Sequence, residues 1–295
     1  MNLIKASFEI IEPSSYDQEG MFKHIEAVGR TCYKSEHLKT EDSYKKFVNN
    51  MITNGHGAML EHGTVYLKIP TRYVDSAIHE ETVKVLSWQI KKYLDLGDYV
   101  MYVIRDDYTY ITTNYRVIVE KGWEYDLKYL CEPTEYHEPR ITVKFVCDRG
   151  VSHEFVRHRV FSFAQESTRY CNYSKDKFGK ELTFIKPNWL NEEELNRYGP
   201  YHTVARSKTP ESIYISNLNN AEKDYLELLE LGWKPEEART VLPNSLKTEL
   251  VMTGFAVDWQ HFFNLRAIGT TGKPHPQAKE LAEPLMEEFK ERMLL

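Results

Sequence analysis

Apolar residues recur along this chain at two spacings, and the spacing changes several times. In 141–147 the positions Ile141, Val143, Phe145 and Cys147 alternate onto one face, the period of a strand with one buried face. Val65, Leu67 and Ile69 repeat that pattern in 64–69, and 99–104 and 108–113 read the same way. Short apolar strands follow at 182–185, cut by Pro187, and at 248–252. Helical spacing marks 22–31 (Ile25, Val28), 43–53 (Tyr44, Phe47, Val48, Met51, with Gly55 beyond) and 77–94. Asn114 stands as a cap before a helix to 121, and Asp148 before one over 149–159. A longer amphipathic helix covers 212–231, with Leu218, Ala221, Tyr225, Leu228 and Leu229 on one side and Gly232 as its stop. Pro235 opens another that Pro243 ends, 256–265 is a further helix, and Pro276 begins the last. Residues 188–210, broken by Asn, Gly and Pro, read as a surface excursion. With no internal repeat, the order of elements predicts one α+β domain over 1–295, a mixed or antiparallel sheet flanked by helices. No GxGxxG follows a strand, so no Rossmann unit is expected.

Composition narrows the classes. At 41% hydrophobic residues the chain is slightly lean, but 20 Tyr, 13 Phe and 5 Trp supply large buried area. No apolar run approaches the ~18 residues of a membrane span, and the first residues show no leader pattern. Four scattered cysteines without a C-x-x-C pair point to reduced thiols and a cytoplasmic setting. A net charge of −6 without a basic tail argues against nucleic acid as a partner.

Within that acidic chain, Arg157, His158, Arg159 and Arg169 crowd together, opposed in sequence only by Glu166. Arginine's planar fork matches a phosphate or carboxylate two bonds at a time, and Gln165 and Ser167 add neutral hydrogen-bonding groups. On a helix over 149–159, Glu154, Arg157 and His158 share one face while Val151 and Phe155 share another. The ordinary alternative is a solvated or inter-subunit salt-bridge patch. A hydrolase built on Ser167 with His158 as base lacks the strand–turn–helix setting and an orienting carboxylate. Zinc held by His56, His62, His153 and His158 lacks workable spacing, so no metal is expected.

The run Arg157-His158-Arg159, seven residues, Ser167, one residue, Arg169 resembles the signature of flavin-dependent thymidylate synthases. Glu26 to Ser35, Gly55-His56-Gly57 with Glu61-His62-Gly63-Thr64, Arg239-Thr-Val-Leu-Pro243 and Trp259 to Arg266 with His275-Pro276-Gln277 resemble further segments of that family. The resemblance implies reductive methylation of dUMP to dTMP, with methylenetetrahydrofolate as carbon donor and NADPH-reduced FAD as hydride source. It implies flavin contacts from His62, Thr64, Arg157, His158, Arg159, Gln165 and His261. Substrate contacts would come from Glu154, Arg157, Gln165, Ser167, Arg169, Arg239 and Arg266, with Arg266 polarising the uracil ring as the catalytic group. A homotetramer with shared sites is also implied, as is a family-variable insertion over 71–139.

Other readings of single residues stand beside these. Arg239 is placed for a salt bridge to Glu236 or Glu237, Arg266 for capping its own helix, and His62 for a core hydrogen bond. Two departures from the family pattern are visible. Glu154 stands where glutamine is common, and is expected to tie to Arg157 or His158; Ala164 stands where asparagine is common. A flavoprotein without methyl transfer, or a colourless nucleotide sensor, would fit the same arginines.

Overall fold

The computed structural model describes residues 1–78, 81–193 and 209–294. In chain order the strands are β1 (Asn2–Ile4), β2 (Ser7–Ile11), β3 (Thr64–Pro70), β4 (Tyr73–Ile78), β5 (Glu81–Leu86), β6 (Met101–Arg105), β7 (Tyr108–Asn114), β8 (Arg140–Asp148), β9 (Ser162–Gln165), β10 (Thr183–Ile185) and β11 (Lys247–Phe255). The α-helices are α1 (Gln18–Thr31), α2 (Ser43–Thr53), α3 (Gly57–Leu60), α4 (Trp88–Leu94), α5 (Tyr115–Lys121), α6 (Arg149–Phe155), α7 (Pro210–Glu230), α8 (Pro235–Ala238), α9 (Ala256–Phe263) and α10 (Pro276–Glu291).

The central sheet runs β2-β8-β11-β9 and is antiparallel throughout. Period two sorts its side chains onto two faces. Ile141, Val143, Phe145 and Cys147 of β8, with Leu250 and Met252 of β11, pack one face against Trp259, Phe262 and Phe263 of α9 and Leu281, Leu285 and Phe289 of α10. On the other face Val251 and Ala164 meet Val28 of α1. A second core joins α1, α2 and α3 to the sheet β3-β7-β6, α4 and α5, so much of 71–139 is built into it with Tyr93, Val100, Ile111 and Ile118. A third lies under α7, and there β1 pairs β10 in parallel. The architecture is α+β, and the βαβ crossover of a Rossmann unit is absent from these sheets among the described residues.

Local signals hold where a cap or breaker sets an end. Asn114 accepts from Val117 N at 3.1 Å and Asp148 from Val151 N at 2.7 Å, each starting its helix. Gly232, at φ +96°, takes the left-handed backbone that follows α7. Three expectations are corrected. The helix over 77–94 is instead a hairpin, β4 paired with β5 from Tyr73↔Leu86 to Ile78↔Glu81, and only Trp88–Leu94 is helical. The β-branched positions Val83 and Val85 favour a ladder over a helix. The helix over 149–159 stops at Phe155, so Arg157 and His158 sit in the turn after it. The short strand at 248–252 extends to nine residues and is central. The expected surface excursion at 188–210 lies outside the described residues over 194–208.

Candidate functional site

One short helix organises the site. α6 is seven residues long, about 10 Å by its rise, and faces three groups in turn. Arg149, in its first turn, borders a cleft with Thr168, Arg239, Thr240, Leu242 and Leu246. Ser152, one turn on, accepts at 3.0 Å from Gln165 Nε2, which also reaches Thr248 Oγ1 at 3.2 Å. Glu154, near its end, meets Arg266.

Arg266 belongs to a single π-helical turn (Asn264–Ile268) that widens the end of α9, a local geometry that re-aims a side chain. Its Nη1 donates to Glu154 Oε2 at 2.5 Å, Nη2 to the Glu154 carbonyl at 2.9 Å, and Nε to His158 Nε2 at 3.1 Å. The guanidinium therefore satisfies a carbonyl of α6, not of its own helix. Glu154 is tied to Arg266, not to Arg157 or His158 as expected. Because His158 Nε2 accepts, its imidazole proton sits on Nδ1. Burial, then the charge of Arg266 and the nearby His261, pushes the His158 pKa down to about 4. The His158 ring packs on Phe262 at 5.0 Å and lies 6.0 Å from His261, which is exposed. Beside it Phe161 lies against Gly254, where any Cβ would come within 2.5 Å of the ring, so this glycine seats the turn.

The remaining arginines divide. Arg157 and Arg159 are exposed, and among the described residues neither has an ion pair. Arg169 faces Glu236 at 3.6 Å, both exposed. Arg239 donates to Thr168 Oγ1 at 3.3 Å, and no described carboxylate pairs with it, Glu237 being spent on the Lys234 backbone. Ser167 Oγ accepts from Arg169 N at 3.3 Å, with no contact to His158.

His62 and Thr64 lie apart from these. The His62 ring is fully buried on the α1 side of the sheet, its Nδ1 hydrogen-bonded to Thr253 Oγ1 at 2.7 Å and its Nε2 without a partner. Thr64 is half-buried and lines a cavity with Tyr16, Tyr66, His24 and Arg140. Ala164 faces apolar neighbours. Sequence reasoning missed Arg149 and Thr168 beside Arg239, and a row of charges around Glu166 and Lys247. The alternation Lys247, Glu249 on one face of a strand was the available signal. All four thiols are free, and burial raises the pKa of each, which keeps them protonated and poorly nucleophilic. No group of His, Cys, Asp and Glu among the described residues is arranged to hold a metal. No helix among them is long and apolar enough to cross a membrane.

A family model described as thymidylate synthase complementing protein matches residues 133–293. A flavin-dependent thymidylate synthase of Corynebacterium efficiens is 33% identical over 124 residues, covering 40% of this chain and 46% of that one. One from Geobacter sulfurreducens is 30% identical over 118 residues, covering 40% and 43%. The chain thus spans about half the length of the curated relatives it matches. Among solved structures, a UMP/dUMP methylase, PolB from Streptomyces cacaoi, aligns over 99% of this chain and 92% of its own at 15% identity and a TM-score of 0.43. The family match takes in more than half of the chain, from β8 to α10 with every arginine of the cluster, and the chain belongs to the thymidylate synthase complementing protein family.

Proposed function

We propose that this protein is a flavin-dependent thymidylate synthase that converts dUMP to dTMP. The observation that carries the reading is the set of exposed guanidinium groups without carboxylate partners, Arg157, Arg159 and Arg239, beside the pair of buried His158 and half-buried Arg266. In a chain of net charge −6, cations left open in this way suit phosphate and pyrophosphate groups. The residues present therefore fit FAD and a nucleotide monophosphate as ligands. When bound, FAD reduced by NADPH would supply the hydride, and methylenetetrahydrofolate the one-carbon unit.

The chain's own groups bind and polarise. Arg157 and Arg159 would hold the flavin pyrophosphate, with His158 and His261 beside it. Arg239, Arg169 and Ser167 would hold the dUMP phosphate, with Gln165 fixed by Ser152 and Thr248. Arg266 would stabilise negative charge on the uracil as it develops, making carbon 5 a better nucleophile. Neutral His158 accepts from Arg266 Nε and so sets the plane of the guanidinium without competing for an anion. His62 and Thr64 lie on the other side of the sheet from α6, and sites shared between the subunits of a homotetramer would bring such residues to one ligand. Purified protein that carries no yellow flavin and makes no dTMP from dUMP, NADPH and methylenetetrahydrofolate would remove the reading.

Two consequences follow for binding. Glu154 and Arg266 are partly exposed, and such a pair is worth up to about 1 kcal/mol. Glu154→Gln keeps an acceptor but removes the charge that competes with a dianion, so KM for dUMP is expected to fall up to about fivefold. An unchanged or higher KM would show that Glu154 does not compete. Arg239→Ala should raise the Kd for dUMP about tenfold or more, as expected for loss of a charge-assisted hydrogen bond. The increase should shrink as salt rises, because the lost interaction is one that salt screens. Arg169→Ala should cost less, since Glu236 already draws on its charge. Titrations at two salt concentrations check both variants, and equal Kd values for wild type and Arg239→Ala would exclude a phosphate role.

A further inference from the structure

On the α1 side of the sheet, a row of charges, two buried carboxylates and two half-buried lysines, runs under the loop that carries Ser167, Thr168 and Arg169. Glu166 is 2% exposed. Its Oε1 accepts from the Tyr173 hydroxyl at 3.0 Å and its Oε2 from Lys247 Nζ at 2.8 Å. Lys247 also donates to Glu249 at 2.7 Å, and Glu249 accepts from Lys34 at 2.8 Å. Lysine and carboxylate thus alternate, and each buried carboxylate meets a lysine. Burial alone would raise the Glu249 carboxyl, but Lys247 and Lys34 hold it down at about 2. Lys34 follows α1 at φ +48°, a backbone setting unusual for a side chain other than glycine.

The Glu166–Tyr173 bond closes residues 166–173 into a ring. Within it Ser167 O accepts from Cys171 N at 2.9 Å, and Ser167 N donates out to Cys32 O at 3.0 Å. Thr168, 5% exposed, is fixed inside the ring and presents Oγ1 to Arg239. Hydrocarbon of similar volume would stabilise such a loop at least as well as buried charges. What the charges add is direction, because each donor and acceptor admits one arrangement of the loop.

We propose that Tyr173, Glu166 and Lys247 form a clasp that positions the Ser167–Arg169 loop for the phosphate monoester of the nucleotide. They are positioning residues, acting through Ser167, Thr168 and Arg169, and the assignment rests on the nucleotide site described above. Tyr173→Phe removes one hydroxyl and little volume. It is expected to raise both Kd and KM for dUMP about tenfold, the scale of a hydrogen bond to a charged group, while kcat stays within about twofold and flavin content is unchanged. Glu166→Gln keeps an acceptor for Tyr173 but loses the charge that holds Lys247, and it should shift KM in the same direction. If Tyr173→Phe does not fold, Glu166→Gln is read by the same criterion. A lowered melting temperature with unchanged Kd and KM would make the clasp structural only and overturn the proposal. If wild-type protein does not bind dUMP, the nucleotide reading falls first and the clasp's role with it. Binding by wild type that matches binding by the variant sinks the clasp alone.

Discussion

Arg266→Ala is expected to lower kcat for dTMP formation by a factor of about 10² to 10³, the loss seen when one preorganised donor to a developing anion is removed. Bound flavin should remain. The expectation comes from the way the guanidinium is held: three of its nitrogens contact α6 or the turn after it, and the π-helical turn aims it there. Such a group needs little reorganisation when charge appears on a ligand beside it. Its removal leaves Glu154 only partly buried and able to hydrate, so folding should survive. His158 loses the donor to Nε2 and one of the charges that keep it neutral, so its pKa should rise from about 4. Arg266→Lys restores charge without the planar fork and should recover only part of the rate. Flavin absorbance and dTMP formation measured on the same sample give the result. Full activity in Arg266→Ala would take this residue out of the mechanism.

How much of this was legible in the sequence depends on whether a feature is local. Asp148, Asn114, Pro235 and Gly232 each act within one turn of helix, and each set an end as expected. Over 77–94 short apolar runs fit both periods, and strand pairing of Val83 and Val85 is settled by a partner strand. The apolar run 248–252 shows only the middle of β11, because Lys247 and Thr253, which extend it, are polar. In the fold Lys247 is half-buried and Glu249 buried, the two joined in an ion pair, and Thr253 is buried in hydrogen bonds to Thr142 and His62. β9 was hidden inside the charged cluster, since its four residues, Ser162 to Gln165, carry only two apolar side chains. For the site, residue type was legible and pairing was not. Glu154 and Arg266 stand 112 positions apart, and only the packing of α9 on the sheet makes them neighbours. The side of the sheet on which His62 falls could not be read from spacing either, because it depends on α1 packing on β11 and α3 on β9.

Stability should collapse between about pH 6.5 and pH 4, driven by His24, His62 and His158. All three are buried. Burial comes first in holding each neutral, aided by Arg140 and Lys39 at His24, by His24 and Arg140 at His62, and by Arg266 and His261 at His158. Their pKa values fall to about 4, about 3 and about 4, against 6.5 for a free imidazole. The unfolded chain therefore takes up protons below pH 6.5 that the folded chain refuses until far lower, so stability is complete above that value and is lost as pH falls. At about 1.4 kcal/mol per pH unit of difference, each histidine is worth on the order of a few kcal/mol, a sizeable share of the 5–15 kcal/mol that hold a typical domain. The response should be cooperative, because Thr142 and Thr253 link His24 and His62 through hydrogen bonds of 2.7 to 3.0 Å. Urea midpoints measured from pH 7.5 to 4.5 should fall steeply through this window. His62→Leu removes one titrating ring, and with it a nitrogen that lacks a partner, so the variant should show a shallower fall even if its midpoint at pH 7.5 is lower. An unchanged slope in His62→Leu would assign the acid response elsewhere, and would mean that this ring is reached by water despite its burial.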